Sequence, residues 1–91
     1  MSRTVKIQVS GRVQGVCFRL FTKNKAQDLG VKGTVRNRED GCVEIIAQAE
    51  ADILEPFILW CHKGPITARV DQVELIDMSA NEDEFTSFDI I

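Results

Sequence analysis

The stretch Val5-Lys6-Ile7-Gln8-Val9-Ser10-Gly11-Arg12-Val13-Gln14-Gly15-Val16-Cys17-Phe18-Arg19-Leu20-Phe21-Thr22 changes its hydrophobic period partway along. Val5, Ile7 and Val9 alternate with Thr4, Lys6, Gln8 and Ser10, which predicts a strand with one buried face, ended by Gly11. From Phe18 the period lengthens. Phe18, Thr22, Ala26 and Leu29 are spaced by four, four and three, one face of a helix over about 18–29. Lys23, Lys25 and Asp28 fall elsewhere and stay solvated. Gly30 stands where a left-handed C-cap residue would sit. Between strand and helix, Arg12 to Cys17 is left as a loop containing Gly15.

Working outward, Val31 to Arg38 reads as a second strand. Asp40-Gly41 follows as a hairpin turn, since both positions tolerate positive φ. Val43, Ile45 and Ala47 then alternate with Glu44, Ile46 and Gln48, a third strand antiparallel to the second. Asp52 and Glu55 have capping-box spacing ahead of Phe57, Ile58 and Cys61, which share a helix face with Leu54. Pro56 is tolerable only if that helix begins close to Asp52. Gly64-Pro65 ends it, residues 70–77 form another strand, Asn81 to Glu84 an acidic loop, and Phe85 to Ile91 a short final strand. The order β-α-β-β-α-β with a short C-terminal strand is that of a ferredoxin-like α+β sandwich. It predicts an antiparallel sheet with two helices on one face, and a single domain over residues 1–91.

Charge is distributed unevenly. Residues 1–38 hold nine basic groups and one acid, a net +8, while residues 39–91 hold two basic groups and thirteen acids, a net −11. The whole chain is at −3, which argues against a polyanion partner, yet the first segment can draw an anion locally. No apolar run approaches the ~20 residues needed to span a bilayer, and the first six residues do not resemble a secretory signal. A soluble cytoplasmic protein is expected, with no membrane partner. Cys17, Cys42 and Cys61 are odd in number and widely spaced, and the single His62 sits beside Cys61. That pattern suits free thiols in a reducing compartment and gives no metal site.

Chemistry is expected in the first loop. A loop entering a helix N-terminus can aim several backbone N–H groups into one concavity, a setting suited to phosphate. Arg19, one residue into the helix, adds a planar fork that matches phosphate oxygens in pairs. The stretch lacks the features of nucleotide loops of the Gly-x-x-x-x-Gly-Lys-Ser/Thr and Gly-x-Gly-x-x-Gly kinds, which disfavours ATP or a dinucleotide.

Gly11-Arg12-Val13-Gln14-Gly15-Val16-Cys17-Phe18-Arg19 resembles the first signature of the acylphosphatase family. Gly33-Thr34-Val35-Arg36-Asn37-x-x-Asp40-Gly41-x-Val43-Glu44 resembles the second. Their separation matches too, as do Gly64-Pro65 and a late strand with Val70 and Val73, so the likeness spans the chain. The resemblance implies a ferredoxin-like fold and hydrolysis of the carboxyl–phosphate bond of acyl phosphates, with no metal or cofactor. It implies that Arg19 binds the substrate phosphate and that Asn37 positions the attacking water. The amides of Gly15, Val16, Cys17 and Phe18 would cradle the phosphate. Many relatives carry glycine at the position of Cys17, so its thiol is expected to be dispensable, and many carry Trp or Tyr where this chain has Thr34.

Such a set suffices because a carboxylate is already a good leaving group. The protein must hold the phosphoryl group, spread its charge and aim one water, and no strong side-chain base is needed. The expected ligands are a small acyl phosphate and inorganic phosphate, bound by a monomer. Two alternatives remain open at this point. One is a phosphate- or carbamoyl-phosphate-binding domain without turnover. The other is an RNA-binding ferredoxin-like module, which would need exposed aromatics on the sheet, and the strands offer neither Tyr nor Trp.

Overall fold

The computed structural model describes residues 2–78 and 85–91; the expected acidic loop Asn81–Glu84 lies outside them. Seven elements follow in order: β1 (Ser2–Arg12), α1 (Phe18–Leu29), β2 (Lys32–Asn37), β3 (Val43–Glu50), α2 (Ala51–Lys63), β4 (Arg69–Asp77) and β5 (Phe88–Ile90). The sheet order is β4-β1-β3-β2-β5. Neighbours among the first four strands are antiparallel, and β5 joins the edge parallel to β2. The ferredoxin-like α+β sandwich read from the sequence is therefore present, its sheet made mixed by the added β5.

Register decides which side chains meet the helices. Ile7 opposes Ile45, Val9 opposes Val43, and Val35 opposes Ile45 from the other side. All of these residues are fully buried, in one cluster with Phe18 and Ala26 of α1 and Leu54, Phe57 and Cys61 of α2. Period-two strands and period-3.6 helices thus bury matching faces. Phe57 meets Phe88 edge-on, 6.1 Å between centroids, which draws β5 onto the core. On the other face of the sheet, Glu44 is ringed by Lys6, Arg36 and Arg38 at 3.4, 2.8 and 3.7 Å.

Four local expectations are corrected. Gly11 does not end β1. It takes φ 124° at a register shift between Ser10 and Gly11, and the strand continues to pair with β4 through Arg12. The extra residue is Asp71 of β4, since Ser10 opposes Gln72 and Gly11 opposes Val70, a bulge that period alone does not reveal. The β2–β3 connection is longer than a two-residue Asp-Gly turn. Arg38 N–H donates to Cys42 O, Gly41 N–H donates to Arg38 O, and only Gly41 of the turn has positive φ. Asp40 instead accepts from the Cys42 amide at 3.1 Å, a side-chain contact that closes the turn without a left-handed Asp. The Asp52–Glu55 capping box is not formed. Helix α2 begins at Ala51 with Glu50 as N-cap and no side-chain cap bond, so Asp52 already lies in the first turn. Finally, β5 covers only Phe88–Ile90 of the expected 85–91.

Candidate active site

The loop from Gln14 to Cys17 leaves the end of β1 and enters α1. Gly15 has φ 74° and Cys17 φ 61°, ψ 23°, while Val16 and Phe18 have negative φ. Alternation of sign along successive residues turns consecutive N–H groups toward one side, the geometry of an anion nest. Among the described residues, the amides of Gly15, Val16, Cys17, Phe18 and Arg19 donate to no protein acceptor. Cys17 caps α1 without a side-chain hydrogen bond, and no acid stands in the first turn. The positive end of the helix is therefore uncompensated by the chain itself.

Three contacts hold this loop. The Phe18 ring is 1 % exposed and lies 5.9 Å from the Trp60 ring, so the first helical residue is sunk in the core. Thr67 Oγ1 donates to the Val16 carbonyl at 3.0 Å. Gln14 Nε2 donates to the carbonyls of Arg38 and Cys42 at 2.8 and 2.9 Å, reaching the β2–β3 hairpin.

Gly15, Cys17, Phe18, Arg19 and Asn37 line one depression of about 340 Å³, completed by Val13, Leu20 and Ile90. Val16 does not line it; its side chain packs against the core and its carbonyl faces Thr67. Arg19 has no carboxylate partner among the described residues, whereas Arg3, Arg36, Arg38 and Arg69 each have one. Asn37 stands at the end of β2, opposite Val43, on the side of the sheet facing the helices. Its Oδ1 is buried and has no hydrogen-bond partner among the described residues. A buried carbonyl oxygen left so is costly unless something else donates to it.

Electrostatics separate this site from the rest of the surface. Burial pushes the Glu44 carboxyl up, but the hydrogen bond and charge of Arg36, with Lys6, outweigh it and hold the group below its usual range. The Cys42 amide lowers Asp40. Burial, with Asp40 nearby, raises the Cys42 thiol, and burial alone raises Cys61. None of these groups lines the depression. Lys6, Arg36 and Arg38 gather on Glu44 on the outer sheet face, and Arg19 is the one charged side chain in the lining. No group of three His, Cys, Asp or Glu that could hold a metal ion occurs among the described residues. A larger depression, about 420 Å³, lies beside α2 and β4, where Arg3 and Asp77 already pair at 3.2 Å.

Sequence reasoning missed Gln14, Thr67 and Ile90. Gln14 stood inside the first signature, but its partners are carbonyls 24 and 28 residues away. Ile90 reaches the site only because β5 docks beside β2.

A family model described as Acylphosphatase matches residues 5–90. The chain is 49% identical over 80 residues to the acylphosphatase of Shewanella amazonensis, covering 88% of each. It is 39% identical over 89 residues to that of Methylococcus capsulatus, covering 98% of this chain and 96% of the relative. The crystal structure of acylphosphatase from Bacillus subtilis superposes with a TM-score of 0.92 at 33% identity, over 100% of this chain and 99% of the other.

Proposed function

The chain belongs to the acylphosphatase family, and on that premise we propose how its own residues hydrolyse the carboxyl–phosphate bond of an acyl phosphate. The amides of Gly15, Val16, Cys17 and Phe18 bind the phosphoryl oxygens, and Arg19 closes over them with two parallel donors. These groups are fixed before the substrate arrives, so they stabilise charge on the equatorial oxygens without reorganising. Asn37 Oδ1 accepts from a water and aims its oxygen at phosphorus, in line with the leaving carboxylate. The water oxygen bonds to phosphorus. The bond from phosphorus to the acyl oxygen breaks with its electron pair on the carboxylate. The water proton passes to a phosphoryl oxygen, giving carboxylate and inorganic phosphate.

The observation that carries this reading is the buried, unpartnered Asn37 Oδ1 in the same depression as Arg19 and the unbonded loop amides. The amide has both a donor and an acceptor and is too weak a base to take the proton, which is why the substrate does. The acyl group leaves past Leu20 and Ile90, half-exposed apolar side chains that impose no charge requirement on it. Inorganic phosphate occupies the same amides and competes with substrate.

The same reading has the chain act in the cytoplasm, as a monomer, without metal, cofactor or nucleic acid. Support comes from three free thiols and from an outer sheet face built of paired charges rather than stacking aromatics. The deciding assay is phosphate release from acetyl or benzoyl phosphate in the presence of EDTA. Turnover is expected; a folded chain that binds phosphate but releases none would instead be a binding domain.

A further inference from the structure

The two halves of the site lie on segments that the sheet does not join directly. The β1–β3 ladder stops at the rung Val9 to Val43. The loop amides and Arg19 come later in the chain, and Asn37 sits on the far side of β3. Among the described residues, the only hydrogen bonds joining residues 11–20 to the β2–β3 hairpin are the two donated by Gln14.

Their placement is specific. Asn37 and Val43 form the last rung between β2 and β3. Arg38 and Cys42 are the next pair, closed by the Arg38 amide on the Cys42 carbonyl at 2.8 Å. Gln14 Nε2 straddles this same pair, with one proton toward each carbonyl. A side-chain amide has two N–H donors, and here both are used. The contact is part-buried, so water competes poorly for those carbonyls.

We infer that Gln14 is a positioning residue for hydrolysis, setting Asn37 at its working distance from the phosphate loop. The inference rests on the site assignment proposed above. Core packing brings the loop and the hairpin near one another; the Gln14 amide fixes the remaining offset, next to the residue that aims the water. In-line attack is sensitive to that offset, because a misplacement of about 1 Å can cost on the order of 100-fold in rate. Phosphate binding is less sensitive, since the amides and Arg19 all lie on the loop side.

The test uses Gln14→Met, of similar length without donors, and Gln14→Glu, of the same shape with acceptors only. Turnover of benzoyl phosphate should fall about 30- to 100-fold. Affinity for inorganic phosphate, measured by titration calorimetry, should change by less than about threefold, because binding and aiming are separable. In an Asn37→Ala background, Gln14→Met should cost no further turnover, the coupling expected of residues that act through one another. A folded variant with near-parental turnover overturns the inference. So does a loss of phosphate affinity in proportion to rate, additivity with Asn37→Ala, or unfolding of both variants, which would make Gln14 a residue of the fold alone. Failure of the underlying assignment looks different: there Asn37→Ala itself turns over normally, and the inference falls with it.

Discussion

The ring of Phe18 lies 5.9 Å from the ring of Trp60, tilted by 43°. This pair ties the site to the core through one residue. Phe18 is the first residue of α1, and it is almost wholly buried at the inner wall of the depression. The loop amides are aimed because the helix that follows them cannot rotate without lifting an aromatic ring out of the core.

Phe18→Ala should therefore damage stability and binding together. Truncating a buried Phe costs about 3–5 kcal/mol. Urea denaturation with and without inorganic phosphate separates the effects: the midpoint should drop, and the rise that phosphate gives the parent should shrink. A variant that loses stability but keeps the full phosphate-dependent rise would show that the amides are held by something other than this ring.

Arg19 and Asn37 should fail in different ways. Arg19→Ala should abolish phosphate binding and lower kcat/KM by about 100- to 1000-fold, the scale of losing a preorganised charge-stabilising donor. Arg19→Lys should rescue little, because an ammonium cannot make two parallel bonds. Asn37→Ala should lower kcat on a similar scale while inorganic phosphate still binds, since the role proposed for Asn37 is to hold the water and not the anion. Equal loss of binding in both variants would contradict this division of labour.

How much of this was legible in the sequence depended on whether a signal was periodic or local. Strands and helices repeat, so Val5, Ile7 and Val9, and Phe18, Thr22 and Ala26, announced the faces that the structure buries. Single-residue events did not repeat. The bulge opposite Gly11 and the longer turn around Asp40 depend on which carbonyl each amide finds, and the sequence offered more than one choice. The capping box failed for a similar reason, because the N-cap is Glu50, two residues before Asp52, and Asp52 is already helical. For the site, two signatures pointed to Arg19, Asn37 and the loop, which meet in one depression apart from the side chain of Val16. Gln14 was not legible, since a loop amide carries no pattern and its partners are distant backbone atoms.

Cys17 carries a strain that the proposed chemistry does not use. It is the only non-glycine residue with positive φ among the described residues, and its side chain is exposed. A left-handed conformation costs an L-residue roughly 1–2 kcal/mol, partly offset in a glycine variant by the greater freedom of its unfolded chain. Cys17→Gly should thus raise stability by up to about 1 kcal/mol and leave kcat/KM for benzoyl phosphate unchanged. Loss of activity in that variant would give the thiol a role that the amides alone do not explain.

Acid should act on the fold through Glu44. The residue is 8 % exposed, and its carboxyl is held below its ordinary value by Arg36 and Lys6 against the opposing pull of burial. A carboxylate with a lowered folded pKa binds fewer protons folded than unfolded, so its contribution is fully present above the ordinary value near 4.5 and is lost as pH falls through the folded pKa. Parent stability should therefore drop more steeply below about pH 4.5 than that of Glu44→Gln, and the gap between them should close toward acid. Above about pH 6 the gap should be constant. Asp40, also lowered, contributes the same sign in both proteins and does not alter the comparison. Glu44 does not line the depression, so folded Glu44→Gln should keep its turnover at neutral pH. Denaturation midpoints taken across the acid range decide it: two curves falling in parallel would mean that Glu44 is stabilised equally in the unfolded chain.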